Sequence, residues 1–221
     1  MWNQKKNKTI DEARIRSATE IKQIIKMQAG EFKEEIETKE AEDFQNEWNR
    51  KRAFLPDFNL SARTPDKIYS LKSLIPTQDQ ALLDVSNFED FYLHHYVRNL
   101  MEAFNWQVMD AETAQNKKQQ LLYLNYMIKM KKLRKVNKPL EELSESMGVP
   151  VEIMKSFIER FYEPIKLKDG LKGAGGGVKY SKTKNLDTKM VCYILILNLI
   201  IMRFKINLKP LMKVLKLDEK K

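Results

Sequence analysis

The residue types that usually carry chemistry are sparse in this chain. Its two histidines, His94 and His95, are adjacent, so on a helix they point to different sides and give no metal-ligand spacing. The single cysteine, Cys192, can form no internal disulfide and has no Cys or His at ligand spacing, which fits a reducing compartment. The segment GLKGAGGG (170–177) is rich in glycine. It lacks the strand-to-helix setting and the closing Lys-Ser/Thr of a phosphate loop. No nucleophile–base pair and no carboxylate dyad stands out. The reading is of a non-enzyme with no cofactor, no metal and no small-molecule substrate.

What the sequence offers instead is positive charge. Lys and Arg number 40 against 30 Asp and Glu, a formal charge of +10 in 221 residues. That balance favours a polyanionic partner through long-range attraction and counterion release. Lys129, Lys131, Lys132, Arg134 and Lys135 end a predicted long helix with no acid between them. Lys172, Lys179, Lys182 and Lys184 flank the glycines. Lys209, Lys213, Lys216, Lys220 and Lys221 decorate the last predicted helix. These groups suit phosphate contacts, which position a duplex without reading it. Lys155 and Arg160 lie on a helix balanced by Glu152 and Glu159, so little base readout is expected there. Six phosphate contacts would give a salt slope of about −5. A solvated lysine face is the plainer alternative for each group.

These charges need elements to hold them. The predicted fold is mainly α with small β wings. Residues 1–58 read as a charged linker, seven bases to three acids over 1–28 and eight acids to two bases over 31–47, gaining order on a partner or remaining a solvated tail. Asn49 to Pro76 holds three prolines and reads as an extended strap, anchored by Phe54, Leu55, Phe58, Leu60, Ile68, Tyr69, Leu71, Leu74 and Ile75. Thr77 is placed as N-cap of a helix over Gln78–Val85, another helix covers Asn87–Phe104, and Asp110 caps a long helix to about Arg134. An apolar helix runs from Asp187 to about Phe204, with a short helix from Leu208. Its apolar stretch, Met190–Met202, is too short to span a bilayer, which takes about 20 residues. Five of the seven glycines fall in 170–177, with strands expected at Ile165–Lys168 and Val178–Ser181, or else a linker there.

The most informative pattern is PLEELSESMGVPVEIMKSFIERFYE (139–163). Leu140 and Leu143 line one helix face, and Ser144 is small where a second helix must cross. Gly148 permits a left-handed turn, Val149 fills the corner, and Ile153, Phe157 and Ile158 bury the next helix. These demands are those of a helix-turn-helix. Leu208, Leu211, Leu215 and Leu217 match Leu140, Leu143, Met147 and Val149 at constant offset, with Lys216 at the place of Gly148. Each copy follows an apolar helix containing Leu-Asn, at 124–125 and 197–198, so the chain reads as a tandem winged helix. The first unit is placed at 59–184 with the strap. The second is placed at 185–221 and is expected to be incomplete, since Lys221 falls where its third helix would begin.

At this point a family resemblance becomes specific. DTKMVCYILILNLIIMRFKINLKPLMKVLKLDEKK (187–221) resembles the closing winged helix of the forty-nine-kilodalton subunit family of RNA polymerase I. NLSARTPDKIYSLKSLIP (59–76) resembles that family's entry into the same module. The resemblance implies a linker and tandem winged-helix region, without the family's N-terminal barrel. It implies a non-catalytic subunit of a DNA-directed RNA polymerase in the nucleus and nucleolus. Such a subunit binds DNA non-specifically, partners other polymerase I subunits and supports initiation and elongation of ribosomal RNA synthesis. The rival reading is a winged-helix adaptor that binds protein and no nucleic acid.

Overall fold

A computed structural model describes residues 45–88, 92–165 and 179–217. The chain divides into two compact units, Met1–Arg52 and Ala53–Lys221. Of the first unit, residues 45–52 are described and are helical. One exposed i,i+4 ion pair, Glu47–Lys51 at 2.8 Å, lies on that helix. The expected linker over 1–44 lies outside the described residues.

Among its described residues the second unit is mainly α with one small antiparallel sheet. Its helices are α1 (Leu71–Leu74), α2 (Thr77–Ala81), α3 (His95–Glu102), α4 (Ala111–Lys132), α5 (Leu140–Met147), α6 (Val151–Phe161), α7 (Lys184–Ile201) and α8 (Leu208–Leu215). The strands are β1 (Lys135–Val136), β2 (Glu163–Pro164) and β3 (Tyr180–Ser181), in the order β1–β3–β2. Lys135 and Val136 face Ser181 and Tyr180, and Glu163 and Pro164 face the same two residues from the other side. Proline is tolerated in β2 because β2 is an edge strand. Of the two strands expected there, Val178–Ser181 is met in part by β3, and Ile165, the described residue of the other, donates its backbone N–H to the Lys179 carbonyl at 2.8 Å just beyond β2. β1 was not foreseen, since two residues carry no readable alternation. Residues 166–178 lie outside the description.

Helices α4 and α7 are the spine of one continuous core. Every residue of α4 from Gln120 to Ile128 is buried, so that stretch is covered on all sides rather than along one stripe. Leu211 and Leu215 of α8 join the same core as Leu143, Phe157 and Phe161. Three amides are buried within it: Gln120, Asn125 and Asn198. Asn125 Oδ1 accepts from the His94 backbone N–H at 2.8 Å, and Asn198 Nδ2 donates to the Tyr96 hydroxyl. The asparagines of the two Leu-Asn pairs thus both hold the start of α3.

Three helix boundaries differ from expectation. Pro76, not Thr77, is the N-cap of α2, and that helix stops at Ala81. Beyond it, Asp84 bends the chain by accepting from both the backbone and hydroxyl of Ser86. α3 begins at His95 rather than near Asn87, because the His94 backbone is held by Asn125 and its Nδ1 accepts from Tyr96 N–H at 3.3 Å. The apolar helix starts earlier than Asp187, capped by the Thr183 hydroxyl, and ends at Ile201. Asp110 does cap α4, accepting from Thr113 N–H at 2.8 Å. The strap is more folded than extended. Phe58 bridges to Tyr69, and a 3-10 turn spans Pro65–Lys67. Leu74 and Ile75 are buried, whereas Leu60, read as an anchor, is 71% exposed.

Over the described residues, the two expected helix-turn copies share a helix length and a left-handed helix end. α5 and α8 are both eight residues long, 68 residues apart. Gly148 ends α5 at φ 57°, ψ 47°, and Lys216 ends α8 at φ 53°, ψ 44°. A lysine accepts the left-handed conformation that glycine takes for free, at a cost of about 1–2 kcal/mol.

Candidate nucleic-acid interface

A basic surface forms where α4, the sheet and α7 meet. α4 ends at Lys132 because Leu133 turns extended, at φ −83°, ψ 116°. β1 then pairs Lys135 with Ser181, drawing the chain after α4 against the chain before α7. Lys132, Arg134, Lys135, Lys179 and Lys184 are exposed. Lys172 lies outside the described residues.

Two members of this group face inward. Lys182 keeps only 1% of its side chain exposed. Its ammonium donates to the carbonyls of Met130 and Lys131 at 3.2 and 2.9 Å and lies 3.5 Å from Asp187. Lys131 pairs with the other Asp187 oxygen at 3.0 Å, at 16% exposure. Burial draws the Lys182 ammonium down to about 8, against the opposing pull of Asp187. It is a helix C-cap, satisfying carbonyls that α4 leaves open.

The same device recurs. Lys117 donates to the Ile201 carbonyl at the end of α7 (2.8 Å), and Lys129 to Met147 at the end of α5 (2.7 Å). Lys189 donates to Arg160 near the end of α6 (3.4 Å). Burial lowers all three below the ordinary lysine range. Four lysines are thereby committed to helix ends, and no local pattern distinguishes them from the exposed ones.

On α6, Lys155 is exposed between the exposed Glu152 and Glu159. Arg160 turns inward: Nη1 donates to the Tyr123 hydroxyl at 3.0 Å, and Nη2 to the Leu74 and Ser73 carbonyls at 3.1 and 3.4 Å. Asp79, 2% exposed, accepts from Tyr123 at 2.7 Å and from Ser156 at 2.8 Å. This network fastens α1 of the strap, and α2 after it, to the Ser156–Arg160 side of α6.

A second basic surface lies on α8, where Lys209, Lys213 and Lys216 are exposed. Arg203 and Lys205, exposed on the preceding connector, extend it and were missed in the sequence. Arg203 and Phe204 both take positive φ, 50° and 62°, making the sharp reversal that presents them. Two basic residues after an apolar helix do not by themselves mark such a turn.

No group of His, Cys, Asp and Glu suited to a metal occurs among the described residues. None of the described helices is long and apolar enough to cross a membrane. The described residues of the second unit form a lysine-rich helical module with a small antiparallel sheet. The chain belongs to the A49-like RNA polymerase I associated factor family, whose model matches residues 1–221. Membership places it in transcription, among the subunits of RNA polymerase I and in the nucleus. Comparison with curated proteins finds no match.

Proposed function

We propose that this chain is a non-catalytic subunit of RNA polymerase I that binds DNA through phosphates, without sequence preference, and supports initiation and elongation of ribosomal RNA synthesis in the nucleolus. The observation that carries this is the exposed cluster Lys132, Arg134, Lys135, Lys179 and Lys184 around one small sheet. The fold reading that goes with it is a tandem winged helix. The order α4–β1–α5–α6–β2–β3 with sheet order β1–β3–β2 supports a first unit within 59–184. The matched α5 and α8, with Gly148 and Lys216 in one conformation, support a second unit over 185–221. Residues 1–58 are the linker.

The exposed side of α6 mixes Glu152, Lys155 and Glu159, and the strap covers its Arg160 side. A base-reading role for α6 is therefore not part of the proposal. Five phosphate contacts would give a slope of log affinity on log salt of about −4 to −5. Fluorescence anisotropy with unrelated duplexes over a salt series tests it. Equal affinities with that slope support the reading. No binding at low salt removes it and leaves the protein-binding adaptor, which the near-neutral surface of α6 favours.

A further inference from the structure

A cavity of about 280 Å³ opens beside the turn between α5 and α6. Tyr92, Asn125, Tyr126, Lys129 and Glu145 are among its walls. Tyr92 is 84% exposed, an unusual position for a large ring. The Lys129 ammonium lies 5.9 Å from the centre of that ring. Tyr126 is 3% exposed and its side chain lines the cavity. Burial raises that phenol to about 12, so it is a proton donor at neutral pH. Asn125 gives its oxygen to His94 N–H, which leaves its amide NH2 as a donor.

The walls therefore combine donors with one carboxylate, Glu145. A bare phosphate would meet that carboxylate. A flat heteroaromatic ring carrying donors and acceptors on its edge matches the set, and the exposed Tyr92 supplies a stacking face. Lys132 follows Lys129 by three residues on the same stripe of α4 and is exposed, within reach of an adjoining phosphate. An acidic peptide would leave the stacking face unused.

We propose that this cavity takes one unpaired nucleobase, stacked on Tyr92, with Lys132 on a neighbouring phosphate. The proposal rests on the DNA-binding reading above. The test compares a duplex carrying one extruded adenine with the fully paired duplex of equal length, by anisotropy on the full chain. The extruded-base duplex binds on the order of tenfold tighter. Tyr92→Ala removes that preference and leaves paired-duplex affinity within about twofold, while Tyr92→Phe keeps it. Because Tyr92 is exposed, the alanine variant folds, which circular dichroism verifies. Equal affinity for the two duplexes, or a preference that survives Tyr92→Ala, overturns this inference alone. Binding to neither duplex overturns it together with the DNA role. A Tyr92→Ala variant that keeps the preference but loses an acidic peptide assigns the cavity to a protein partner.

Discussion

Arg160→Met separates two roles for one cation. If Arg160 met a phosphate, its loss would lower the salt slope by about 0.9 and leave the fold intact. The structure gives it a different task. It donates to Tyr123 and to the Leu74 and Ser73 carbonyls, and its guanidinium lies 5.1 Å from the ring centres of Phe161 and Tyr193. Methionine keeps much of the stem and removes the donors. Charged hydrogen bonds contribute about 1.5–3 kcal/mol each, and the ring contacts add roughly 0.5–1. Part of this is recovered because the partly buried guanidinium no longer has to be desolvated. The loss also strips the buried Asp79 of its nearest cation within the network. A net destabilisation of about 3 kcal/mol follows. Urea unfolding followed by tryptophan fluorescence reads it as a shift in midpoint at constant m-value. In thermal unfolding it is a drop of roughly 6–12 °C for a unit of this size. DNA affinity of the folded variant, and its salt slope, stay at wild-type values. A variant within about 1 kcal/mol of wild type whose salt slope falls by about one would refute the clamp and restore the phosphate contact.

Lys179→Glu with Lys184→Glu weakens duplex binding at least tenfold and flattens the salt slope by about two, with unchanged unfolding; an unaltered slope removes the sheet-side cluster from the interface. Lys182→Met acts on stability instead. The folded ammonium titrates near 8, below the 10.5 of an unperturbed lysine, so the unfolded chain holds more protons between those values and stability rises with pH. From pH 7 to 9.5 wild type gains about 2 kcal/mol relative to Lys182→Met, measured as the difference between their urea curves; parallel pH profiles would contradict the burial. His94 is drawn down to about 4, by burial first and then by Lys132, His95 and Lys129. Its stabilising contribution is present above 6.5 and is lost as pH falls toward 4. After discounting for its partial exposure, wild type loses about 1 kcal/mol more than His94→Asn, which keeps a capping acceptor, across that window. For the paired turns, Gly148→Ala costs about 1 kcal/mol from the backbone alone, since an added Cβ meets only the Lys129 ammonium at an ordinary 3.7 Å. Lys216→Gly gains about 0.5 kcal/mol, and opposite signs in chemical denaturation would show that the two turns are not equivalent.

The helices of the core were readable because their apolar periods are long. Asp110 announced α4, and the Leu-Leu-Gly spacing announced α5 and α6. Gly148 revealed the first turn by its type. Lys216 revealed the second only by alignment with the first, since lysine has no preference for positive φ. The boundaries of α2 and α3 were hidden for a different reason. What fixes the start of α3 is an amide on α4, Asn125, reaching the backbone of a residue 31 positions away. No local pattern encodes such a bond. β1 was hidden by its brevity, and the inward turn of Arg160 by its dependence on Asp79, Tyr123 and the strap together.

The same dependence governs how the basic composition translates into an interface. A net charge of +10 counts every cation alike, but the fold sorts them. Lys117, Lys129, Lys182 and Lys189 end helices, Lys131 is paired with Asp187, and Arg160 holds the strap. Within the basic run 129–135, two of five cations are turned to such internal tasks, and within 179–184 one of three is. Only those left exposed can release counterions from a duplex. A salt slope is therefore a census of exposed cations, not of basic residues. It should track the five around the sheet if that surface alone meets DNA. It should rise toward twice that value if Arg203, Lys205, Lys209, Lys213 and Lys216 meet the same duplex. Charge reversal at Lys209 and Lys213 decides between these: an unchanged slope confines the contact to the sheet side, and a fall of about two extends it across α8.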